Sequence, residues 1–581
     1  MKSFFKLVLA NLTAIFIVVA GFFAFFLFFI LISSVSETSD VKSESVLTLD
    51  LKTKIIDSPS EDQEDFFAIN KEQKAVLLYD VLQAINKAKT DDKIKGISIE
   101  SDFISAGITQ LDDIRKALVD FKKSGKFVYA YGNTVSQSAY YLGSVADKYY
   151  LNPSGGINLQ GLSAEVTFYK SFAEKYGIGI QVIRHGKFKA AVEPFLKDEI
   201  SPENKEQLST LLNDIWNNTS TRIAASRNIP ASDFKMITDS LYGYLPNLSL
   251  KYKLADQLIQ KSEYDNIIKK KLKIDADKKI NKISFAKYTN SIKDDGGKDK
   301  IAVLYASGTI YNGKGYDAIY ADNFVKEIKK LQKDKNVKAV VFRINSPGGS
   351  ANASDEILFE MQQLKRIKPV VVSFGDYAAS GGYYIAMGAD KIFSEPNTLT
   401  GSIGVFGVIP YFKELAAKNG IRSDAVTTNA NSNMISAING LSPGAVTIMT
   451  RSVESTYQRF VHFVTQNRKK SFEQIDAVGG GRIWSGVRAK EIGLVDELGN
   501  LQDAINYAAK SAKLKDYGVS TYPAKVSKFE QFFSPETDED FSTRVIRNKI
   551  GKENFKIFQQ MTDPNAKATV MMETPFSIKL D

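Results

Sequence analysis

The sequence repeats itself once, and this repeat limits the possible fold more than any other feature. Residues 91–97 (DDKIKGI) resemble residues 334–340 (DKNVKAV), 243 positions later. At the same offset, Ala-Asp-Lys at 146–148 matches Ala-Asp-Lys at 389–391. Chance matches do not keep one offset over such distances. We therefore predict two tandem copies of one domain, a division that the length of 581 residues easily accommodates.

Each copy alternates short runs of β-branched residues with amphipathic helical patterns. In the second copy we predict strands over 300–305, 337–344 and 369–374, and helices over 322–332 and 355–364. The strand at 337–344 is apolar on almost every position, so both of its faces are expected to be buried. The pattern predicts an α/β fold with a largely parallel sheet covered by helices.

The two copies differ at the positions where chemistry would lie. The second copy contains Asn-Ser-Pro-Gly-Gly at 345–349 and Ala-Ala-Ser-Gly-Gly at 378–382, whereas the first copy has Gln137 at the position of Ser380. The first copy contains GKFKAAVEPF at 186–195, and the corresponding stretch of the second copy has no lysine. Because each copy has a piece that the other lacks, we predict one shared active site at their junction.

Ser380 is the candidate nucleophile. It lies at a strand-to-helix turn, where we expect an exposed hydroxyl beside the free backbone N–H groups of a helix N-terminus. Gly348 and Gly349, at the end of the neighbouring strand, add N–H groups that an acyl oxygen can approach closely. Together they predict an oxyanion hole. The structural alternative is that Ala-Ser-Gly-Gly only allows tight packing between a helix and a strand.

Composition limits the base that could activate this serine. The chain has no cysteine and two histidines, which excludes disulfides, cysteine nucleophiles, thiolate zinc sites and His-rich metal sites. Lys189 is therefore the candidate base. A free lysine has a pKa of ~10.4, so burial beside apolar neighbours must lower it toward neutrality. His185 is the rival base, and we expect His462 to be a packed or surface residue.

The N-terminal region predicts a membrane anchor. Residues 7–35 contain no charged side chain, a stretch long enough to cross a bilayer as a helix. Lys2 and Lys6 precede it and Glu37 follows, so the positive-inside rule places residues 37–581 outside the cytoplasm. A cleaved signal peptide is the alternative. Its apolar segment would be shorter, and only the weak Ser-Val-Ser site at 34–36 follows the run.

The net charge of +10 does not by itself indicate a nucleic-acid partner. Residues 261–300 alone hold 12 Lys against 7 Asp and Glu, and they lack sustained apolar periodicity. We therefore predict a solvated connection between the two copies, and no nucleic acid as partner.

Five motifs resemble the signal peptide peptidase A (protease IV) family in its long, duplicated form. They are residues 345–349, 379–383, 399–405 and 493–496 of the second copy and 189–195 of the first. The resemblance implies tandem ClpP/crotonase-like domains behind an N-terminal transmembrane helix, and a serine endopeptidase with a Ser–Lys dyad.

Carried over to this sequence, the resemblance assigns five site residues. Ser380 is the nucleophile and Lys189 the general base. Ser402 orients the lysine, and the N–H groups of Gly349 and Gly381 line the oxyanion hole. It implies no cofactor and no metal.

The resemblance also implies a biological setting. The expected substrates are remnant signal peptides, the expected assembly is a homotetramer, and the expected location is the bacterial inner membrane with the catalytic domains on the periplasmic side. We divide the chain into the anchor (1–36), a first domain supplying the lysine (37–290), a second domain supplying the serine (291–524) and a tail (525–581). The alternatives are a catalytically inactive envelope scaffold and an acyl-CoA enzyme on the same fold.

Overall fold

A computed structural model describes residues 6, 11, 13–21, 41–49, 54–59, 75–292, 297–315, 318–523 and 571–572. Residues 13–21 are helical and form the described part of α1. The strands of the first copy are β1 Ser45–Leu49, β2 Ile55–Ile56, β3 Val76–Leu77, β4 Ile94–Ile99, β5 Phe127–Val135, β6 Lys148–Ile157, β7 Gly179–Arg184, β8 Gln257–Leu258 and β9 Asn281–Ser284. Its helices are α2 Leu78–Thr90, α3 Ile108–Lys122, α4 Gln137–Gly143, α5 Lys170–Tyr176, α6 Glu193–Leu196, α7 Pro202–Arg227, α8 Ala231–Asp239, α9 Pro246–Lys251, α10 Lys261–Leu272 and α11 Phe285–Thr289, with 3-10 turns at Ala190–Val192 and Tyr242–Tyr244.

The second copy begins with a similar order of elements and contains additional short strands. Its strands, with the C-terminal strand included, are β10 Lys300–Ser307, β11 Ile310–Tyr311, β12 Ile319–Tyr320, β13 Val337–Ser346, β14 Gly349–Ser350, β15 Val370–Ala379, β16 Lys391–Ser394, β17 Leu399–Gly401, β18 Phe406–Tyr411, β19 Ile435–Ser436, β20 Gly440–Leu441, β21 Ile483–Ser485, β22 Glu497–Leu498, β23 Gly518–Tyr522 and β24 Met571–Met572. Its helices are α12 Ala321–Lys333, α13 Ala351–Lys365, α14 Gly381–Ile385, α15 Lys413–Lys418, α16 Pro443–Arg468, α17 Phe472–Val478, α18 Gly486–Glu491 and α19 Leu501–Ser511, with a 3-10 turn at Ala386–Gly388.

Each copy is built on its own parallel sheet. The strand order in the first copy is β8-β6-β5-β4-β1-β9, and every neighbouring pair is parallel. The second copy has the order β21-β17-β15-β13-β10-β23, with β16 beside β15 and β22 beside β16, and only β17 and β21 pair antiparallel. Helices cover the faces of both sheets, which buries both faces of central strands such as β13. The predicted α/β fold with largely parallel sheets is confirmed.

The internal repeat corresponds to a structural repeat. β4 and β13, β5 and β15, and α3 and α13 each begin 243 residues apart, the offset found in the sequence. The long helices α7 and α16 both start with a Ser-Pro pair whose serine, Ser201 or Ser442, caps the helix by accepting a backbone N–H bond. The duplication of the domain is confirmed.

Most predicted element limits hold within a few residues, but β15 is longer than expected. It continues from Val370 to Ala379, so that Ser380 follows it directly. Helix α13 begins at Ala351 rather than at Asp355, because the Ser350 hydroxyl accepts a bond from the Ala353 N–H and caps an earlier first turn.

The two copies share a third sheet. Its strand order is β12-β11-β14-β24-β18-β7, so strands from both copies and a strand from the C-terminal tail lie side by side. β7 of the first copy pairs antiparallel with β18 of the second, with Arg184 opposite Phe406. A small apolar cluster on α7, β17 and β21 also joins the copies, formed by Leu211, Ile215, Leu399 and Ile483. The copies are therefore held in one fixed arrangement.

The interpretation of residues 261–300 as a solvated connection is wrong for most of that stretch. α10 buries Tyr264, Ile268 and Leu272, which lie four residues apart on one helical face, while its lysines occupy the other positions. β9 then joins the first sheet beside β1, and α11 buries Phe285 and Tyr288. The apolar stripe of α10 is short and lies among many lysines, so the sequence pattern did not reveal it.

The predicted anchor over residues 7–35 lies outside the described residues, except for residue 11 and α1. Within the part of the chain that the structure describes, no helix combines the length and the apolar character needed to span a bilayer. The tail over 525–581 is described only at β24.

Candidate active site

Ser380 lies at the junction between β15 and α14 and adopts an unusual backbone conformation. Its φ is +55° and its ψ is −116°, which is costly for a residue with a Cβ. Its N–H donates to the Gly401 carbonyl oxygen at 2.8 Å. The side chain is fully buried, which corrects the expectation of an exposed hydroxyl. The reason is that a lysine from the other copy covers it.

Lys189 of the first copy reaches the serine of the second. Its Nζ lies 2.8 Å from Ser380 Oγ, 2.9 Å from Ser402 Oγ and 3.3 Å from the Ser402 carbonyl oxygen. Lys189 is fully buried, as are both serines. The structure thus brings together the three side chains that the sequence singled out, although Lys189 and Ser380 are 191 residues apart.

Backbone contacts between the copies hold the lysine in place. The N–H groups of His185 and Phe188 donate to the carbonyl oxygens of Val405 and Gly480 at 2.9 and 3.1 Å. Gly481 passes so close to the lysine backbone that a Cβ there would lie 2.6 Å from the Lys189 nitrogen. A glycine is therefore required at this crossing.

Ser402 is fixed by the same loop. It has a φ of +51°, and its N–H donates to the Arg482 carbonyl oxygen at 2.7 Å. The Gly481 N–H donates to the Ile403 carbonyl oxygen at 2.7 Å. The loop at 480–482 consequently positions both the lysine backbone and the serine that hydrogen bonds to its Nζ.

Gly349 and Gly381 lie next to each other beside Ser380. A Cβ on Gly381 would lie 3.2 Å from the Gly349 nitrogen, and a Cβ on Gly349 would lie 2.1 Å from the Ile310 carbonyl oxygen. Gly349 therefore tolerates no side chain, because its β14 backbone runs against β11. The two glycines predicted for the oxyanion hole are therefore adjacent in space, Gly381 at the N-terminus of α14 and Gly349 in β14.

Neither histidine is placed to serve Ser380. His185 Nδ1 lies 2.9 Å from the Glu454 carboxylate, and its ring stacks on Tyr457 with a centroid distance of 3.6 Å. His462 is exposed and hydrogen bonds to Gln466. Lys189, not His185, is the basic side chain within hydrogen-bond distance of Ser380. Among the described residues, no three or more His, Asp and Glu side chains converge as a metal site.

The first copy uses the position of Ser380 for a structural contact. Gln137 is fully buried, and its Nε2 donates to the Gly161 carbonyl oxygen at 3.0 Å. Its Oε1 accepts from the N–H groups of Gln160 and Gly161 at 3.1 and 2.9 Å. These bonds hold the loop that follows β6. Because the residue at this position is a glutamine, the first copy has no nucleophile where the second copy has Ser380.

The sequence reasoning missed Glu193, a buried carboxylate that fastens the lysine segment to α7. Its side chain accepts bonds from Ser201 Oγ at 2.5 Å and from Asn204 Nδ2 at 3.2 Å. It is only 1% exposed and lies four residues after Lys189. The Glu-Pro pair within 186–195 could have predicted this role. An acidic residue in an apolar segment requires hydrogen-bond partners when it is buried.

We expect Glu193→Ala to lower kcat about tenfold, which corresponds to ~1.4 kcal/mol, with little change in KM. The hydrogen bonds that hold the lysine segment would be lost, and the Lys189 amine would be held less firmly beside Ser380. Steady-state kinetics with an apolar peptide tests this, and Glu199→Ala, an exposed acid in the same segment, is the control. Equal kinetics for both variants would contradict the positioning role of Glu193.

Comparison with known proteins identifies the family. Residues 120–275 and 362–515 match the profile of Peptidase family S49, once in each copy, and residues 293–401 match that of Clp protease. Protease 4 of Salmonella typhi is 36% identical over 502 residues, covering 83% of this chain and 81% of the relative. Protease 4 of Haemophilus influenzae is 34% identical over 491 residues, covering 81% and 80%. The chloroplastic serine protease SPPA of Arabidopsis thaliana is 33% identical over 443 residues, covering 74% and 64%.

These matches extend over both copies, and the Clp protease match agrees with the sheet architecture described above. They favour a peptidase over the acyl-CoA enzyme that was the alternative from the sequence. The chain belongs to peptidase family S49, in its long duplicated form, and is a serine protease.

Proposed function

We propose that this protease works through a dyad of Ser380 and Lys189. The observation that carries the proposal is the 2.8 Å contact between Lys189 Nζ and Ser380 Oγ, formed between the two copies in a buried site. Burial favours a neutral amine over an ammonium ion, and the neutral amine can accept a proton. Ser402 then orients the lysine through its hydroxyl and carbonyl oxygens.

The dyad supports acyl transfer in two steps. Lys189 takes the Ser380 proton as the serine oxygen attacks a peptide carbonyl, and it returns that proton to the leaving amine. A water molecule, deprotonated by Lys189, then hydrolyses the acyl-enzyme and frees Ser380. The N–H groups of Gly349 and Gly381 stabilise the oxyanion, a contribution of about 3–4 kcal/mol for a single donor in a well-characterised protease.

A fluorophosphonate probe tests the nucleophile. We expect the purified full-length chain to be labelled on Ser380, with the adduct mapped by mass spectrometry, and to cleave a peptide of apolar and small residues. A matched peptide with acidic residues at the same positions is the control. Labelling of a folded protein at another serine, or no labelling, would overturn the assignment.

The proposed substrates are remnant signal peptides, and the proposed location is the bacterial inner membrane with the catalytic domains on the periplasmic side. The resemblance of the sequence motifs supports the substrate class. The uncharged run over 7–35 supports a single membrane anchor, which would keep the site near apolar peptides released in the bilayer. A homotetramer is proposed on the resemblance alone, and light scattering of the detergent-solubilised chain tests it.

Charges placed inside the apolar run should release the protein from membranes. We expect Val18→Lys combined with Phe25→Lys to move most of the chain into the carbonate-soluble fraction, because each central charge costs about 3 kcal/mol on insertion. Ser36→Asp with Ser39→Asp, just outside the run, is the control and should remain in the pellet. Retention of the lysine variant in the pellet would contradict the anchor.

A further inference from the structure

The strand that leads to Ser380 contains a bulge shortly before that residue. Two successive pairs between β13 and β15 enclose one residue of β13, Asn345, but three residues of β15, 375–377. β15 pairs with β16 before this bulge and with β17 from the end of the bulge onward. The Ser380 N–H then donates to the Gly401 carbonyl oxygen of β17 at 2.8 Å. Because a β-bulge redirects the residues that follow it, the conformation of residues 375–377 determines where Ser380 lies.

Asp376, in the middle of the bulge, is bound by the first copy. Its Oδ1 accepts from the Thr109 N–H at 2.9 Å and from the Thr109 hydroxyl at 3.0 Å. Thr109 lies in the first turn of α3, whose N-cap is Gly107, a residue without a side chain that could accept these bonds. A Cβ on Gly107 would lie 1.7 Å from Asp376 Oδ2, so a glycine is needed to leave room for the carboxylate. Asp376 therefore caps α3 from the other copy, the role that an N-cap side chain usually has for its own helix.

Comparison of matched positions in the two copies supports this role. Helix α13, which begins 243 residues after α3, is capped by its own Ser350, at the position where α3 has Gly107. The first copy has Asn133 where the second copy has Asp376. Asn133 is exposed, and its N–H donates to a carboxylate of its own copy at 2.7 Å. The cap thus runs in one direction, from the copy that supplies the serine to the copy that supplies the lysine.

The other two residues of the bulge are also held by side chains from outside β15. The Tyr377 N–H donates to Asn345 Oδ1 at 3.1 Å, and Asn345 Nδ2 donates to Asp57 Oδ2 of the first copy at 3.0 Å. The Gly375 carbonyl oxygen accepts from Thr398 Oγ1 at 2.8 Å. Two of the three bulge residues are therefore connected to the first copy, one directly and one through Asn345.

We propose that Asp376 is a positioning residue for Ser380. By capping α3, it holds the bulge in the conformation that brings Ser380 Oγ within reach of Lys189. This proposal rests on the proposed function, and it adds that the first copy sets the position of the serine as well as supplying the lysine. Loss of the cap would free residues 375–377 to adopt other conformations, and a displacement of ~1 Å at the reacting atoms can lower a rate about 10²-fold.

Steady-state kinetics of the full-length chain tests this role. We expect Asp376→Ala to lower kcat for an apolar peptide about 10- to 100-fold, with KM within about twofold. Asp376→Asn keeps an oxygen that accepts both bonds, so its kcat should stay within about threefold of the unsubstituted chain. Asp214→Ala is the control for a general loosening between the copies, because Asp214 accepts from Ser485 of the second copy at 2.7 Å, and its kcat should be unchanged. Equal losses of kcat in Asp376→Ala and in either of the other variants would overturn the proposal.

A milder change in the first copy tests the same contact if the Asp376→Ala protein does not fold. Thr109→Val removes the hydroxyl but keeps the shape of the side chain and the backbone N–H. It should lower kcat about fivefold, since one of the two hydrogen bonds to Asp376 is lost. Thr109→Ser keeps a hydroxyl and is the matched control. Equal kinetics of these two variants would contradict the role of the cap.

Hydrogen exchange separates this proposal from the proposed function. The Ser380 N–H should exchange at least about tenfold faster in Asp376→Ala than in Asp376→Asn, whether or not the protein is active, because its bond to Gly401 depends on the bulge. Unchanged exchange would overturn the positioning role. Faster exchange in the alanine variant of a chain that neither cleaves peptides nor reacts with the fluorophosphonate probe would support the positioning of residue 380, while the proposed dyad would fail.

Discussion

Replacement of Ser380 or Lys189 is expected to lower kcat/KM for an apolar peptide by at least ~10³-fold. Ser380→Ala removes the proposed nucleophile, and Lys189→Met removes the proposed proton acceptor while keeping a side chain of similar length. In the proposed dyad the two side chains act as one unit, so the double variant should be no worse than either single variant. Initial rates and fluorophosphonate labelling measure the effect, with thermal melting to verify that each variant is folded.

His185→Ala is the matched control for the dyad. His185 contacts Glu454 and Tyr457 rather than Ser380. The activity of the His185→Ala variant should therefore stay within about fivefold of that of the unsubstituted chain, because His185 is not expected to stabilise the transition state. If the His185 variant lost activity while the Lys189 variant retained it, the rival base would be correct. Activity in a folded Ser380→Ala protein would contradict the whole assignment of the site.

Breaking the buried ion pair between the copies is expected to cost about 3–5 kcal/mol of unfolding free energy. Arg343 on β13 donates to Asp57 of the first copy, with Nη2 to Oδ1 at 3.1 Å, and each side chain is only 1% exposed. Burial disfavours the charged guanidinium, but the carboxyls of Asp57, Asp113 and Glu395 outweigh this effect and raise the pKa of Arg343 above its ordinary value. Arg343→Met would leave Asp57 buried without its cation.

Chemical denaturation of the purified protein measures this loss. Arg459→Met is the control, because Arg459 pairs with Asp355 at 2.9 Å on the surface, with 56% of its side chain exposed. That pair should contribute at most about 1 kcal/mol. Similar losses in the two variants would mean that the buried pair does not stabilise the contact between the copies. We further expect Asp57→Asn to be less harmful than Arg343→Met, since asparagine still accepts a hydrogen bond.

The sequence predicted the features that depend on local patterns or on comparison of the two copies. The strands around 300–305 and 337–344 were predictable because their apolar runs are short and uninterrupted. The copies share a fold, so differences such as Gln137 against Ser380 pointed to the residues that only one of them requires. The lysine in 186–195 was found in the same way.

Features formed by distant segments could not be predicted. β7 and β18 are more than two hundred residues apart, and their separate patterns do not specify the antiparallel pairing that brings Lys189 to Ser380. The burial of Ser380 depends on this pairing, which explains why an exposed hydroxyl was expected. The role of Glu193 likewise depends on α7, whose position follows from packing. In 261–300, the apolar stripe was too short to stand out among lysines.

Division of the proposed dyad between the two copies has a consequence for biosynthesis. Lys189 is translated 191 residues before Ser380, and the loop at 480–482 that holds both Lys189 and Ser402 follows later still. A chain emerging from the ribosome therefore has no assembled catalytic pair until nearly all of its second copy has been made and folded. A chain that terminated before the second copy would contain Lys189 but not Ser380, and would therefore lack the proposed catalytic pair.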